Sequence, residues 1–172
     1  MPAISDPGED LVRFCHERGV AVESVPGPSA LITALAISGM PSGRFCFEGF
    51  LSVNKKSRMD HLNSLTDEKR TMIFYESPHR MVKALQQFAE VFGEDRQCSA
   101  CREISKLHEE SVRGTIAEVL AHFIETEPRG EFVIVVAGRD EDAAKQETSQ
   151  EEQKTQEPEK KHFSKYRNKQ LS

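Results

Sequence analysis

Tryptophan is absent from this 172-residue chain, aromatic residues make up only 7%, and there are four cysteines. A chain of this length can bury a core without covalent staples. Cys15, Cys46, Cys98 and Cys101 are too few and too unevenly spaced for a disulfide framework, so reduced thiols are expected. No run of about 18 uncharged apolar residues occurs, and the opening MPAISDPGED lacks the basic-then-apolar order of an export signal. Neither a membrane-spanning nor a conventionally secreted protein is expected, whereas a cytoplasmic globular one is. Cys98-x-x-Cys101 has no second pair to complete a zinc ribbon. It falls within a predicted strand, where residues three apart face opposite sides, so neither a shared metal nor a disulfide is expected.

Apolar residues are also scarce at one end. Residues 141–172 hold only Ala143, Ala144, Phe163, Tyr166 and Leu171, too little apolar surface to offset the entropy of ordering. A disordered charged tail is expected there, with seven acids and two bases over 141–159 and five bases and no acid over 160–172. The tail is neutral overall, so the net charge of -5 belongs to the folded part. Its end, KKHFSKYRNKQ, reads as a solvated terminus or as an RNA-contacting arm.

In 1–140, helix and strand signals alternate, which predicts α/β layers. Asp6-Pro7 predicts the start of a helix over 7–18 that Gly19 stops, VAVESV (20–25) predicts a strand, and PGPS turns into the apolar helix ALITALAIS before Gly39. A helix apolar all round is expected to be buried on most sides. RFCFEGFL (44–51) predicts a strand, followed by a helix with a basic opening of Lys55, Lys56 and Arg58, and TMIFY (71–75) a buried strand. Ser77 then caps a helix over 78–92. Strands follow at 97–103 and 110–114, a capping box at Thr115 and Glu118 opens a helix to about 126, and EFVIVVAG (131–138) is the last strand. Met40-Pro41-Ser42-Gly43 joins a first segment, 1–40, to a second, 44–140. One greasy helix, one strand and one short helix cannot cover their own apolar faces, so the first segment is expected to be incomplete and to self-associate.

The motifs PAISDPG (2–8), VPGPSALITALAISGMP (25–41), RFCFEGFL (44–51), FYESPHR (74–80), REISKLHEE (102–110) and GEFVIVVAG (130–138) resemble, in order and spacing, the tetrapyrrole methylase superfamily. Within it they are most similar to the bacterial branch that methylates small-subunit ribosomal RNA. FYESPHR and REISKLHEE are the specific pair, whereas the PGPSA turn is shared across the superfamily. The resemblance covers nearly all of 1–140. It implies a two-domain tetrapyrrole-methylase-like α/β fold, a homodimer, S-adenosylmethionine in the cleft between domains, and methyl transfer to the 2′-hydroxyl of a cytidine in 16S ribosomal RNA of the small ribosomal subunit. Family members place a TPIGNL-type loop and an EDTR-type segment ahead of the SDPG loop. Neither is present, so the N-terminal domain (1–40) is expected to be an incomplete remnant beside a complete C-terminal α/β domain (44–140), with impaired cofactor binding.

Methyl transfer to a ribose hydroxyl needs positioning, a proton acceptor and a cation near the developing alkoxide, and no metal. Glu103, Lys106 and Arg80 are the catalytic candidates, with Glu76, His79 and Arg102 beside them for substrate, all at predicted strand ends where α/β sheets present ligands. Pro28, Ser29 and Ala30 at a helix start, with Tyr75, and with Ala137 flanking the adenine, are the cofactor candidates. Because the folded part is acidic, RNA contacts are expected from local clusters: Lys55, Lys56 and Arg58, or Arg80, Arg102 and Lys106. Two other readings stand beside this one, a non-catalytic remnant that binds RNA or a partner, and a methyltransferase acting on a corrin or porphyrin.

Overall fold

A computed structural model describes residues 1–140, and Met1–Arg139 form one compact unit. The expectations for 141–172 lie outside the described residues. The elements, in chain order, are α1 (Glu9–Glu17), α2 (Ala30–Ser38), β1 (Phe45–Phe50), α3 (Lys55–Ser64), β2 (Thr71–Glu76), a 3₁₀ turn (Pro78–Arg80), α4 (Met81–Phe92), β3 (Gln97–Arg102), β4 (Glu110–Thr115), α5 (Ile116–Glu125) and β5 (Phe132–Val136).

The five strands form one mixed sheet in the order β1-β2-β5-β3-β4. β1 and β2 are parallel, and the other three pairings are antiparallel. The period-2 alternation of β2 sends its side chains to two cores. Met72 and Phe74 join Phe88, Leu85, Ile116 and Phe123 on the face covered by α3, α4 and α5, while Ile73 and Tyr75 join Leu31 and Leu35 on the face covered by α2. Cys98 lies in the first core and Cys101 in the second, both buried as free thiols. Their opposite orientation follows from the three-residue spacing on a strand, as expected from the sequence.

Local signals set the helix starts. Thr115 Oγ1 accepts from the Glu118 amide at 3.2 Å and Glu118 Oε2 accepts from the Thr115 amide at 2.8 Å, completing the predicted capping box of α5. At α3, Asn54 Oδ1 accepts from the Ser57 amide at 3.1 Å.

Four expectations need correction. VAVESV (20–25) is not in a strand: no neighbour pairs with it, and Val20, Val22 and Val25 are exposed. Asp6 does not cap the first helix, which begins three residues later with Gly8 at its N-cap. Ser77 makes no capping bond either. Its amide donates to Glu76 Oε1 at 2.8 Å, and the chain passes through a 3₁₀ turn before α4. The apolar α2 buries Leu31, Ala34, Leu35 and Ser38 but leaves Ile32 exposed, because it meets the sheet along one face and no other described element covers the opposite one.

Candidate active site

The antiparallel pairing of β5 decides which chain segments meet. Phe132, at the start of β5, is level with Glu76 at the end of β2 and with Arg102 at the end of β3. Phe50, at the end of β1, is level with Tyr75. Three strand ends and one strand start therefore converge on one edge, where a cleft of about 460 Å³ opens on the α2 side. Ala30, Phe50, Tyr75, Glu103, Lys106 and Glu131 line it, with Ile4, Ser5 and Asp6 of the SDPG loop opposite.

Tyr75 forms the aromatic floor, its ring 5.0 Å from Phe47 and 5.4 Å from Phe50. Its hydroxyl meets the Leu31 backbone and the Ser29 side chain at the start of α2. Burial raises its pKa above the ordinary value, the effect of those hydrogen bonds being smaller, so it stays a neutral phenol.

The REISK loop supplies the charges. Glu103 accepts two hydrogen bonds from Lys106 Nζ, at 3.0 and 3.1 Å, and the Lys106 amide donates to the Glu103 carbonyl at 2.9 Å. Ser105 donates its amide to Glu109 at 2.6 Å, tightening the loop. Glu103 and Ser105 are left-handed (φ 50° and 67°), as are Ala3 and Ser5 (φ 66° and 51°). These are the non-glycine residues with positive φ among the described residues, and all belong to the two loops bordering the cleft. Each costs of order 1–3 kcal/mol, so the surrounding structure over-determines both loops. Gly130 completes the arrangement. It is left-handed (φ 78°), and a Cβ there would lie 2.5 Å from Glu103 Oε1.

Of the candidates read from the sequence, Ala30, Tyr75, Glu103 and Lys106 come together in the cleft. The others sit elsewhere. Arg102 donates to Glu110 Oε2 at 2.5 Å and to the Arg129 carbonyl at 3.1 Å, tying two loops together behind the site. Arg80 pairs with the buried Glu76 at 3.3 Å and donates to the Leu51 carbonyl at 2.8 Å. His79, Lys55 and Lys56 are exposed outside the cleft, and Pro28 and Ser29 do not line it, although Ser29 touches the Tyr75 hydroxyl.

Two placements overturn the sequence reading. Ala137 is at the opposite end of the sheet, where its amide donates to the Gln97 carbonyl at 2.9 Å, because β5 runs antiparallel to β2. The neighbouring Gly138 serves close packing there: a Cβ on it would lie 2.0 Å from the Lys69 carbonyl oxygen. Arg58, grouped with surface cations, is buried. Sequence reasoning passed over Asp6, taken for a helix cap, and Phe50 and Glu131, although all three lie within the quoted motifs.

A sequence profile of the tetrapyrrole (corrin/porphyrin) methylases matches residues 1–120. The chain is 45% identical over 137 residues to ribosomal RNA small subunit methyltransferase I of Synechocystis, covering 80% of this chain and 49% of that protein. The protein of that name from Thermotoga maritima is 45% identical, covering 81% and 62%, and that from Escherichia coli O157:H7 is 46% identical, covering 80% and 49%. The chain thus spans about half the length of the curated relatives it matches. Among solved structures, the methyltransferase CobJ superposes with a TM-score of 0.61 at 17% identity, over 80% of this chain and 61% of that one. Uroporphyrin-III C-methyl transferase from Thermus thermophilus, complexed with S-adenosyl homocysteine, gives 0.53 at 20% identity, over 79% and 61%. Sequence and fold agree: the chain belongs to the tetrapyrrole methylase family.

Proposed function

We propose that this chain is part of an S-adenosylmethionine-dependent methyltransferase that modifies the 2′-hydroxyl of a cytidine in 16S ribosomal RNA. The observation that carries the reading is the meeting of Glu103 and Lys106 with Tyr75 and the start of α2 in one cleft. The identity of about 45% to relatives named for the small ribosomal subunit supports RNA as substrate over a corrin or porphyrin. The likeness to tetrapyrrole enzymes, at 16–21% identity, concerns the fold alone.

The cofactor fits the residues present. About 460 Å³ is within the range of small-molecule sites, aromatic and aliphatic walls at Tyr75, Phe50 and Ile104 suit an adenine, and the carboxylates of Asp6 and Glu131 suit ammonium and hydroxyl groups. Tyr75 and Ala30 would hold it, with Ser29 acting through the Tyr75 hydroxyl. When bound it supplies a methyl group on a sulfonium. Glu103 then accepts the ribose hydroxyl proton, and Lys106 stabilises the negative charge on the oxygen as that proton leaves. Arg80 and Arg102 act at one remove, through the loops they bind.

Residues 1–40 are read as part of an N-terminal methylase domain whose α2 leans on the 44–140 unit. A homodimer through 1–40 belongs to the proposal, supported by the exposure of Leu11, Phe14, Val20, Val25 and Ile32. So does a cytoplasmic site of action, where ribosomes are found. Among the described residues no helix is long and apolar enough to cross a membrane.

The test is tritium transfer from the methyl-labelled cofactor to small ribosomal subunits lacking the modification, with nuclease digestion and mass spectrometry of the product. Methyl label on a cytidine ribose is expected, falling at least 10²-fold for Glu103→Gln. Label on a base, or on a porphyrin in place of RNA, would refute it.

A further inference from the structure

Arg58 is 4% exposed, and its guanidinium is hydrogen-bonded within the fold. Its Nε donates to Gln87 Oε1 at 2.7 Å, and its Nη1 donates to the carbonyls of Ser52 at 2.8 Å and Val53 at 3.1 Å. From the other side, Arg80 Nη2 donates to the carbonyls of Leu51 at 2.8 Å and Ser52 at 3.4 Å. Two guanidiniums therefore grip three successive carbonyls of the loop between β1 and α3. Among the described residues no carboxylate lies within ion-pair distance of Arg58, and a buried guanidinium without such a partner is costly. Glu76 shares a void of about 10 Å³ with Arg58, Arg80, Lys83 and Gln87, and its Oε2 is buried without a hydrogen bond. An apolar side chain would fill the place of Arg58 at lower cost, so what the arginine adds is the fixed shape of loop 51–54.

That loop lies among cations. Lys55 and Lys56 follow it on the first turn of α3, and Lys83 stands in the first turn of α4 on the rim of the same void. All three are exposed, and among the described residues none has a carboxylate within ion-pair distance. The acids near this corner are the buried Glu76 and the exposed Asp60 on the next turn of α3. Phe50, which lines the cleft, immediately precedes the loop, so the cations sit at the same edge of the sheet as the cleft, on its α3 and α4 side.

We infer that loop 51–54 with Lys55, Lys56 and Lys83 is a docking shelf for the sugar-phosphate backbone of RNA, and that Arg58 is the positioning residue that shapes it. The inference rests on the RNA-methylating reading. A polymer whose ribose enters the cleft has phosphates on both sides of that ribose, and these need a cationic surface contiguous with the cleft on a protein whose net charge is -5. The lysines supply point charges, and the clamped loop sets their spacing.

The experiment is fluorescence anisotropy of a fluorescein-labelled 20-nucleotide single-stranded RNA, titrated with the 172-residue chain across a salt series. The triple variant Lys55→Ala, Lys56→Ala, Lys83→Ala, at exposed positions that do not govern folding, should lose at least tenfold in affinity. Its slope of log affinity against log salt should be shallower by about 2, at about 0.7 per lost contact on single strands. Arg58→Lys keeps the charge but loses the fork. It should weaken RNA binding about fivefold with the slope unchanged, and speed hydrogen exchange at the amides of 52–54. Unchanged affinity and exchange in Arg58→Lys overturns the positioning role. Wild-type affinity in the triple variant, beside RNA binding by the unmodified chain, overturns the shelf alone. Absence of RNA binding by the unmodified chain at low salt overturns the RNA reading and the shelf together.

Discussion

Gly130→Ala probes how the acidic group of the cleft is held. The added Cβ would sit 2.5 Å from Glu103 Oε1 and 2.9 Å from its Cδ and Cγ. Glu103 cannot yield freely, because its own backbone is left-handed and its carboxylate is bound by Lys106 on the other side. The alanine also has to adopt φ 78°, which costs about 1–2 kcal/mol for an L-residue. Displacing the carboxylate adds a further ~1 kcal/mol from the lost charge-assisted bonds, discounted for the exposure of Lys106. Chemical denaturation should therefore give a loss of about 2–3 kcal/mol, a fall of several degrees in Tm. Pairing the substitution with Glu103→Ala separates the two contributions, because without the carboxylate only the backbone cost of about 1–2 kcal/mol remains. In the complete enzyme methyl transfer should drop with the displaced group. A loss below about 0.5 kcal/mol in the single variant, with transfer unchanged, would refute the claim that the bare glycine positions Glu103.

Phe88→Ala, at a fully buried ring packed 4.8 Å from Phe74 and 5.6 Å from Phe92, should cost about 3–5 kcal/mol in denaturant titration without moving the cleft residues. The hydrogen bonds from Arg70 hold the Glu68 carboxyl at about 2, below its ordinary value of 4.5. The folded value being the depressed one, this contribution is present above pH 4.5 and lost as pH falls toward 2, so Glu68→Gln should flatten the acid limb of a Tm-against-pH curve in that window. In native thiol labelling Cys46 and Cys98 should react slowly, because Cys46 is pushed up to about 12 by burial and by Glu48, and Cys98 is raised by burial first and then by Cys101. Equal reactivity of all four would contradict the two-core packing.

Elements with strong local signals were legible in the sequence. The capping box at Thr115, the β-branched and aromatic run of β2, the apolar run of β5 and the opposed cysteines all fall where pattern places them. What pattern lacks is strand direction. The run ending in Val136-Ala137-Gly138 gives no sign that β5 is antiparallel to β2, and that orientation alone moves Ala137 away from the cleft and brings Glu131 and Phe132 into it. Partnership is equally invisible locally. VAVESV has the composition of a strand but nothing to bond with, and Arg58 reads as one more cation on a basic helix until Gln87, 29 residues on, is seen to receive it. Asp6 was misread because a cap and a cleft-lining carboxylate share the same residue type in the same loop.

The position of β5 has a consequence for how the chain is made. Among the described residues it is the last strand in sequence yet the middle one in space, and there β2 and β3 are joined only through it. Until Phe132–Val136 have left the ribosome, the sheet can exist only as two separate pairs, β1 with β2 and β3 with β4, with the edges of β2 and β3 that β5 later covers still unpaired. The nascent chain therefore carries two exposed strand edges, those of β2 and β3, through most of its synthesis, and a single late insertion saturates both at once. A chain that ends before residue 132 is left with the edges of β2 and β3 open, whereas one that includes Phe132–Val136 can close the sheet.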